Sequence, residues 1–434
     1  MSVSARLLAL DALVRVEDGA YAHVLLPAML RGSRLRDRDR AFATDLVYGT
    51  VRAQRRLDDL LARVSSRPVR RLDPPVRAAL RLGAYQLVSG VSPHAAVSET
   101  VDALAARSPR ARGFANAVLR ALARLGPPWP EAASEAVALS YPDWLVGRLD
   151  LDLGTGDARA ALAAMNAAPP VTLRTRAPDA IEGELRDAGA AVERGRLVPD
   201  ALVVRGAGDP AALAAVREGR ATPQDQASQA VAGLLGARAG DRVADVAAAP
   251  GGKATALAER VGADGLVVAV DLDAGRLRLV RDASERLGLA NLHAVVADAR
   301  ALPLRGGEFD RVLLDAPCSG LGVLHRRPDA RWRVTEASVG ELAALQRELL
   351  LAAAPLVRAG GRLVYSVCTL TRAETVEIDE WAASCLHEFV AATPPGTPWH
   401  PLGRGALLLP QAAGTDGMYA LLLDRTRGAD TVSP

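Results

Sequence analysis

The chain has 434 residues, half of them hydrophobic and 24% charged, with a net charge of +3. At roughly 100–200 residues per domain it is long enough for several cores, and three scattered cysteines make neither a disulfide framework nor a zinc cluster. No uncharged apolar run reaches the roughly 20 residues of a membrane span, and the N-terminus, with Asp11, Arg15, Glu17 and Asp18, does not read as a signal peptide, so a cytoplasmic protein without metal or membrane anchor is expected.

In chain order, residues 1–130 read as one domain, helical to about residue 126. "ARLLALDALVRV", "RAFATDLVYGTVRAQRRLDDLLARV", "PPVRAALRLGAYQLVSG", "HAAVSETVDALAAR" and "ARGFANAVLRALARL" repeat apolar residues at three and four spacing. Pro74, Pro75 and Pro93 fall at helix starts, where proline is tolerated. This stretch carries 21 Arg against 11 Asp and Glu, a net +10, while the rest sums to −7. A basic helical front half suits a polyanionic partner. "GPPWP" (126–130) then breaks the pattern.

Residues 131–225 read as a small α+β domain. Helical segments "WLVGRLDLDLG" and "ARAALAAMNAA" precede the strand-like runs "VTLRT" and "ALVVR". "DLDLGTGDA" (150–158) imitates a nucleotide-binding loop, but what precedes it reads as a helix and not as a buried strand.

From 226 onward strands and helices alternate. The expected strands are "RVADVA", "GLVVAVD", "LHAVVA", "FDRVLLDA" and "GRLVYSVC", with helices over Lys253–Val261, Ala274–Leu287, Glu336–Val357 and Ala373–Cys385. "ALLLP" and "MYALLLD" could close the sheet as a hairpin. Alternation implies a parallel, doubly wound sheet whose ligands collect at the carboxyl ends of its strands.

The first strand opens into "AAAPGGKATALAERVG". Ala247, Ala248, Ala249, Pro250, Gly251 and Gly252 form a candidate cofactor loop, and Lys253 opens the next helix. Lys253 is the single lysine among 53 basic residues. Where arginine has replaced lysine almost everywhere, a retained lysine marks a site needing a compact ammonium and not a wide guanidinium. Asp271, Asp298 and Asp315 end the next three strands. An acid about 20 residues past the loop suits ribose hydroxyls, and Asp298 is placed to meet a base edge. The loop is neither G-x-G-x-x-G nor a P-loop, and no second nucleotide-binding half follows. S-adenosyl-L-methionine, a nucleoside without phosphates, is the expected cofactor.

Cys318 follows the fourth strand and Cys368 the fifth, so both should lie at the ligand-bearing edge. Cys385 reads as structural, on an amphipathic helix. A thiolate beside a methyl donor suits one difficult transfer. Addition to carbon 6 of a pyrimidine makes carbon 5 nucleophilic, which is covalent catalysis by a thiol of lowered pKa. Lys253 can supply positive field, and Asp315 can hydrogen-bond the N3 and amino edge of the ring. If protonated, Asp315 would donate to N3. The residues alone do not rank the two cysteines.

"PQDQASQ", "AAPGGK", "AVDLDAGRL", "DAPCSGLGVLHRRPDARWR", "LVYSVCTLTRAE" and "GTDGMYA" closely resemble the RsmB/Sun (NOL1/NOP2/Sun) RNA cytosine-5 methyltransferases over almost all of 222–424. "DRAFATDLVYGTVRAQRRLD", "PHAAVSETVD" and "GFANAVLRAL" resemble the NusB-type RNA-binding domain at the front of the bacterial branch, and "YPDWLVGRL" and "MNAAPPVTLRT" its middle domain. The resemblance implies a NusB-like all-α domain at 1–130, a small α+β domain at 131–225 and a Rossmann-like class I methyltransferase at 226–434. It implies Cys368 as nucleophile, Cys318 as an aid to product release, small-subunit (16S) ribosomal RNA as substrate and a monomer. Two positions depart from the family: Ala247 stands where a cysteine is common, and Thr375 follows Glu374 where an asparagine is usual. Arg326, Arg327, Arg331 and Arg333, just past Cys318, are expected RNA contacts. Other readings stay open: another substrate, such as transfer RNA, DNA cytosine or a small molecule, or an RNA-binding antitermination module with a vestigial methyltransferase domain.

Overall fold

The computed structural model describes residues 4–206 and 208–427, which form two compact units. The first comprises 4–148 together with Leu324–Arg333; the second comprises Leu149–Val323 and 334–427.

The first unit is helical, with helices at Ala5–Glu17, Ala22–Arg31, Asp37–Ala62, Pro74–Val88, Pro93–Ala105, Arg112–Leu125 and Glu135–Leu139. Leu10, Leu26, Leu46, Leu57, Leu80 and Leu122 lie in its core. Two glycines let helices approach closely. A Cβ on Gly49 would fall 2.0 Å from the Tyr85 ring, and one on Gly83 would fall 2.6 Å from Leu119. The helix Ala22–Arg31, with Pro27 inside it, agrees with the helical reading of this region although it is not among the segments quoted for it. The segment past Cys318 contributes a 3-10 turn, Pro328–Trp332, to this unit. The expectation of four RNA-facing arginines is corrected here. Arg331 is fully buried, stacked 3.9 Å from the centre of the Tyr141 ring and donating to the carbonyls of Arg52 and Ser140. Arg333 donates to Gly19 O and lies over Tyr21. Both hold the helical unit together, while Arg327 stays exposed.

The second unit carries two sheets. The smaller contains β1 (Val171–Thr175), β2 (Ala191–Arg194), β3 (Leu202–Arg205) and β4 (Ala221–Pro223) in the order β2-β3-β1-β4, all antiparallel. Leu173, Leu202 and Val204 pack there against Ile181 and Leu185 of the helix Pro178–Asp187. The 150–158 stretch is helical on both sides of Gly154, as its flanks suggested.

The larger sheet contains β5 (Arg242–Val246), β6 (Leu266–Asp271), β7 (Leu292–Val296), β8 (Phe309–Asp315), β9 (Val357–Val367), β10 (Phe389–Ala391), β11 (His400–Leu402), β12 (Gly405–Leu408) and β13 (Met418–Arg425). Its order is β11-β12-β13-β9-β8-β5-β6-β7, with β10 also paired to β13. Strands β5 to β9 are parallel, and the C-terminal strands add antiparallel. The sheet is therefore mixed, not wholly parallel. β12 and β13 do pair, but across a loop containing the helix Pro410–Ala413 and not a tight hairpin. Strand order reverses between β5 and β8, which opens a crevice at their carboxyl ends. Two helices end differently from expectation. The first runs Glu336–Ala353 and tightens into a 3-10 turn at Pro355. The second begins at Val376, because Arg372–Glu374 forms a 3-10 turn instead.

Candidate active site

The crevice at the β5/β8 reversal gathers most of the expected residues. β5 ends at Val246 and the chain turns sharply. Ala247 has φ 64°, a conformation costing a non-glycine residue about 1 kcal/mol. Ala248 N donates to Val270 O (2.8 Å), and Ala249 N donates to Asp271 Oδ2 (3.0 Å). Beyond Pro250, Gly251 has φ 102°, and a Cβ there would lie 3.0 Å from the Val280 backbone, so only glycine fits. Gly252 opens the helix Gly252–Val261. Arg276 donates to Ala249 O (2.6 Å) and Arg174 of β1 to Gly252 O (2.8 Å), which fix the loop from two sides.

Asp271 is buried at the end of β6, where it accepts from Ala249 N and Asp273 N. Asp315 ends β8; Lys253 Nζ donates to its Oδ2 and Ser366 Oγ to its Oδ1, both at 2.7 Å. Burial alone would lower the Lys253 pKa, but Asp315, with Cys368 and Asp245 adding negative field, raises it. The lone lysine is thus a held cation. Asp298 stands apart in the loop after β7, paired with Arg300, whose hydrogen bonds draw its pKa down to about 2.

Sequence reasoning passed over Asp245, although an acid inside the apolar run "RVADV" was visible. It is fully buried, and neither carboxylate oxygen has a hydrogen-bond partner among the described residues. Burial, then the neighbouring Asp315 charge, pushes its pKa well up. A crevice holding Asp245, Asp271 and Asp315 repels phosphate and favours a ligand bearing donors and positive charge. S-adenosylmethionine fits: its ribose offers hydroxyl donors, and its ammonium and sulfonium bring positive charge to a site beneath which Asp245 lies buried.

The two thiols meet across the loops after β8 and β9. Cys318 Sγ lies 3.3 Å from Cys368 Sγ, and both residues are partly buried. The hydrogen bond to Cys368, burial, and the charges of Cys368 and Glu374 together push the Cys318 thiol well up. Cys318 therefore keeps its proton when a negative charge rests on its neighbour. Cys385, expected to be structural, is exposed at the end of the helix Val376–Cys385.

Parallel strands around a switch point, a glycine-bearing loop and acids at the ends of β6 and β8 define a class I, S-adenosylmethionine-dependent methyltransferase. The family described as 16S rRNA methyltransferase RsmB/F matches residues 232–424, the NusB family matches 3–124, and the ferredoxin-like domain of RsmF/B-like methyltransferases matches 141–210. The chain is 34% identical to a probable ribosomal RNA small subunit methyltransferase B of Bacillus subtilis, over 96% of this chain and 97% of that one. It is 36% identical to the ribosomal RNA small subunit methyltransferase B of Pseudomonas putida, over 95% and 97%. The crystal structure of PH0851 superposes with a TM-score of 0.84 at 27% identity, covering 98% of this chain and 100% of that one. The chain belongs to the RsmB/F family of 16S rRNA methyltransferases, with a NusB domain in front and a small middle domain between.

Proposed function

We propose that this protein methylates carbon 5 of a cytosine in small-subunit (16S) ribosomal RNA, through a transient bond between Cys368 Sγ and carbon 6 of the base. The observation that carries the reading is the pair of sulfurs 3.3 Å apart beside the Lys253–Asp315 ion pair, at the edge where the cofactor loop ends. S-adenosylmethionine supplies an electrophilic methyl group there.

Lys253 places positive charge where a Cys368 thiolate needs it. The thiolate adds to carbon 6, and the displaced electron pair makes carbon 5 the nucleophile. Asp315 has both oxygens occupied as acceptors, by Lys253 and Ser366, which suits it to accept from the cytosine amino group and not to donate to N3. After transfer a base, solvent water, takes the carbon 5 proton, the freed C–H electron pair re-forms the carbon 5–carbon 6 double bond, the carbon–sulfur bond breaks, and its electron pair returns to Cys368. Cys318, holding a proton 3.3 Å away, assists this release. The target must be unpaired or flipped, because carbon 6 is inaccessible in a stacked helix. The arginine-rich helical domain supplies salt-dependent affinity for the flanking phosphates. The names of the relatives above support the choice of ribosomal RNA.

Bisulfite sequencing of 16S ribosomal RNA tests this. One cytosine protected in the parent strain should become reactive in a deletion strain, and regain protection with the wild-type gene but not with Cys368→Ala. An unchanged pattern after deletion would contradict the assignment.

A further inference from the structure

One buried carboxylate outside the reacting set binds to both cysteine loops. Glu374 is fully buried in the 3-10 turn after β9. Its Oε1 accepts from Ser319 N (2.8 Å) and Gln346 Nε2 (3.1 Å). Its Oε2 accepts from Ser319 Oγ (2.5 Å), Thr369 Oγ1 (2.8 Å) and Thr371 Oγ1 (3.0 Å). Ser319 directly follows Cys318, and Thr369 directly follows Cys368; their hydroxyls also meet at 2.8 Å. Gln346 is itself held by Tyr365 Oη, which donates both to Gln346 Oε1 and to Glu374 O.

We propose that Glu374 is the positioning residue of this active site: it clasps the Cys318 loop to the Cys368 loop and so fixes the separation of the two sulfurs. The proposal rests on the two-thiol reading above. A neutral apolar core could not do this, because Ser319, Thr369, Thr371 and Gln346 all present donors, and a buried carboxylate is the one side chain that accepts from all of them. The Ser319 and Thr369 hydroxyls touch each other, and the Glu374 carboxylate accepts from both, so it holds the pair in place. The same carboxylate places negative charge beside Cys318, whereas the ammonium of Lys253 faces Cys368. Position and charge therefore act together. The groups that face Cys318 are Cys368 and Tyr365 of β9 and its loop, and Glu374 of the following turn.

Glu374→Ala and Glu374→Gln test the clasp in the full chain. The first readout does not involve RNA: diamide takes two electrons and two protons from a close thiol pair, and peptide mapping counts the Cys318–Cys368 disulfide. Wild type should form it readily, and Glu374→Ala at least 10-fold more slowly, with S-adenosylmethionine affinity kept within 3-fold as the check on folding. With RNA, Glu374→Ala should lose kcat by 100-fold or more with little change in KM. Glu374→Gln keeps the shape, so it decides the matter if the alanine variant does not fold. One of its two acceptor oxygens is now a donor, so it should form the disulfide at a rate between those of wild type and Glu374→Ala, and the alkaline limb of its pH–rate profile should move to lower pH as Cys318 loses the nearby charge. A wild-type disulfide rate in a folded Glu374→Ala, or a wild-type profile in Glu374→Gln, would overturn the proposal. Slowed disulfide formation in Glu374→Ala alongside an active Cys368→Ala would uphold the clasp and overturn the two-thiol chemistry instead.

Discussion

Replacing Lys253 by methionine removes one charge and keeps most of the stem. Its ammonium is 2.7 Å from Asp315, with side-chain exposures of 11% and 32%. Breaking a buried ion pair by removing one partner costs roughly 3–5 kcal/mol, since the other charge is left uncompensated. Asp315 is about one-third exposed, and water recovers part of that, so about 2–3 kcal/mol is expected. At roughly 2–4 °C per kcal/mol for a unit of this size, Tm should fall by about 4–12 °C. Asp315→Asn in the same chain removes the stranded charge. The double variant should therefore be more stable than the sum of the two single losses, with a coupling of about 2 kcal/mol. Lys253→Arg keeps the charge but brings a wider fork, and should recover stability only in part. Scanning calorimetry of wild type and these four variants measures this. A Lys253→Met protein melting within 1 °C of wild type, or strict additivity in the double variant, would refute the reasoning.

Asp245→Asn should act in opposite directions on folding and on binding: Tm unchanged or higher, because a partnerless buried carboxyl is replaced by a neutral amide, and S-adenosylmethionine affinity about 10-fold weaker through loss of negative field beneath the site. In the wild type the Asp245 pKa is raised by burial and by the Asp315 charge, and a cation bound nearby should lower it and so release protons. Calorimetry in buffers of different ionisation enthalpy should show proton release that fades as pH rises past the raised pKa. Gly83→Ala should destabilise the helical unit by about 1–3 kcal/mol, since the new Cβ meets Leu119 and overpacking outweighs helix propensity. Gly113→Ala, with open space around it, should be neutral or stabilising by under about 1 kcal/mol, read by the same thermal melts.

The α/β half was legible because each parallel strand is a short apolar run ending at a turn or an acid. The helix Ala274–Leu287 matches expectation at both ends, with Asp273 capping its start and Gly288 in the left-handed conformation closing it. Short edge strands such as β10 and β11 were not legible, since three residues carry no periodicity. The fate of Arg331 could not be read either: it looks like its three basic neighbours, and the groups that bury it, Tyr141 and the carbonyls of Arg52 and Ser140, come from far earlier in the chain. The same holds for Glu374, whose donors come from three separate segments. The amphipathic pattern around Cys385 implied a helix but did not tell which face the thiol occupies. The two cysteines could be placed at one edge from strand order alone; their 3.3 Å separation needed the fold.

The most direct test uses a ribosomal RNA fragment carrying 5-fluorocytidine. Fluorine at carbon 5 cannot leave as a cation, so the enzyme should stall after methyl transfer with the base still attached. Peptide mapping should find RNA on Cys368 in the wild type and in Cys318→Ala, and none in Cys368→Ala. RNA attached through Cys318 alone, or methylation by Cys368→Ala at the native rate, would contradict the account.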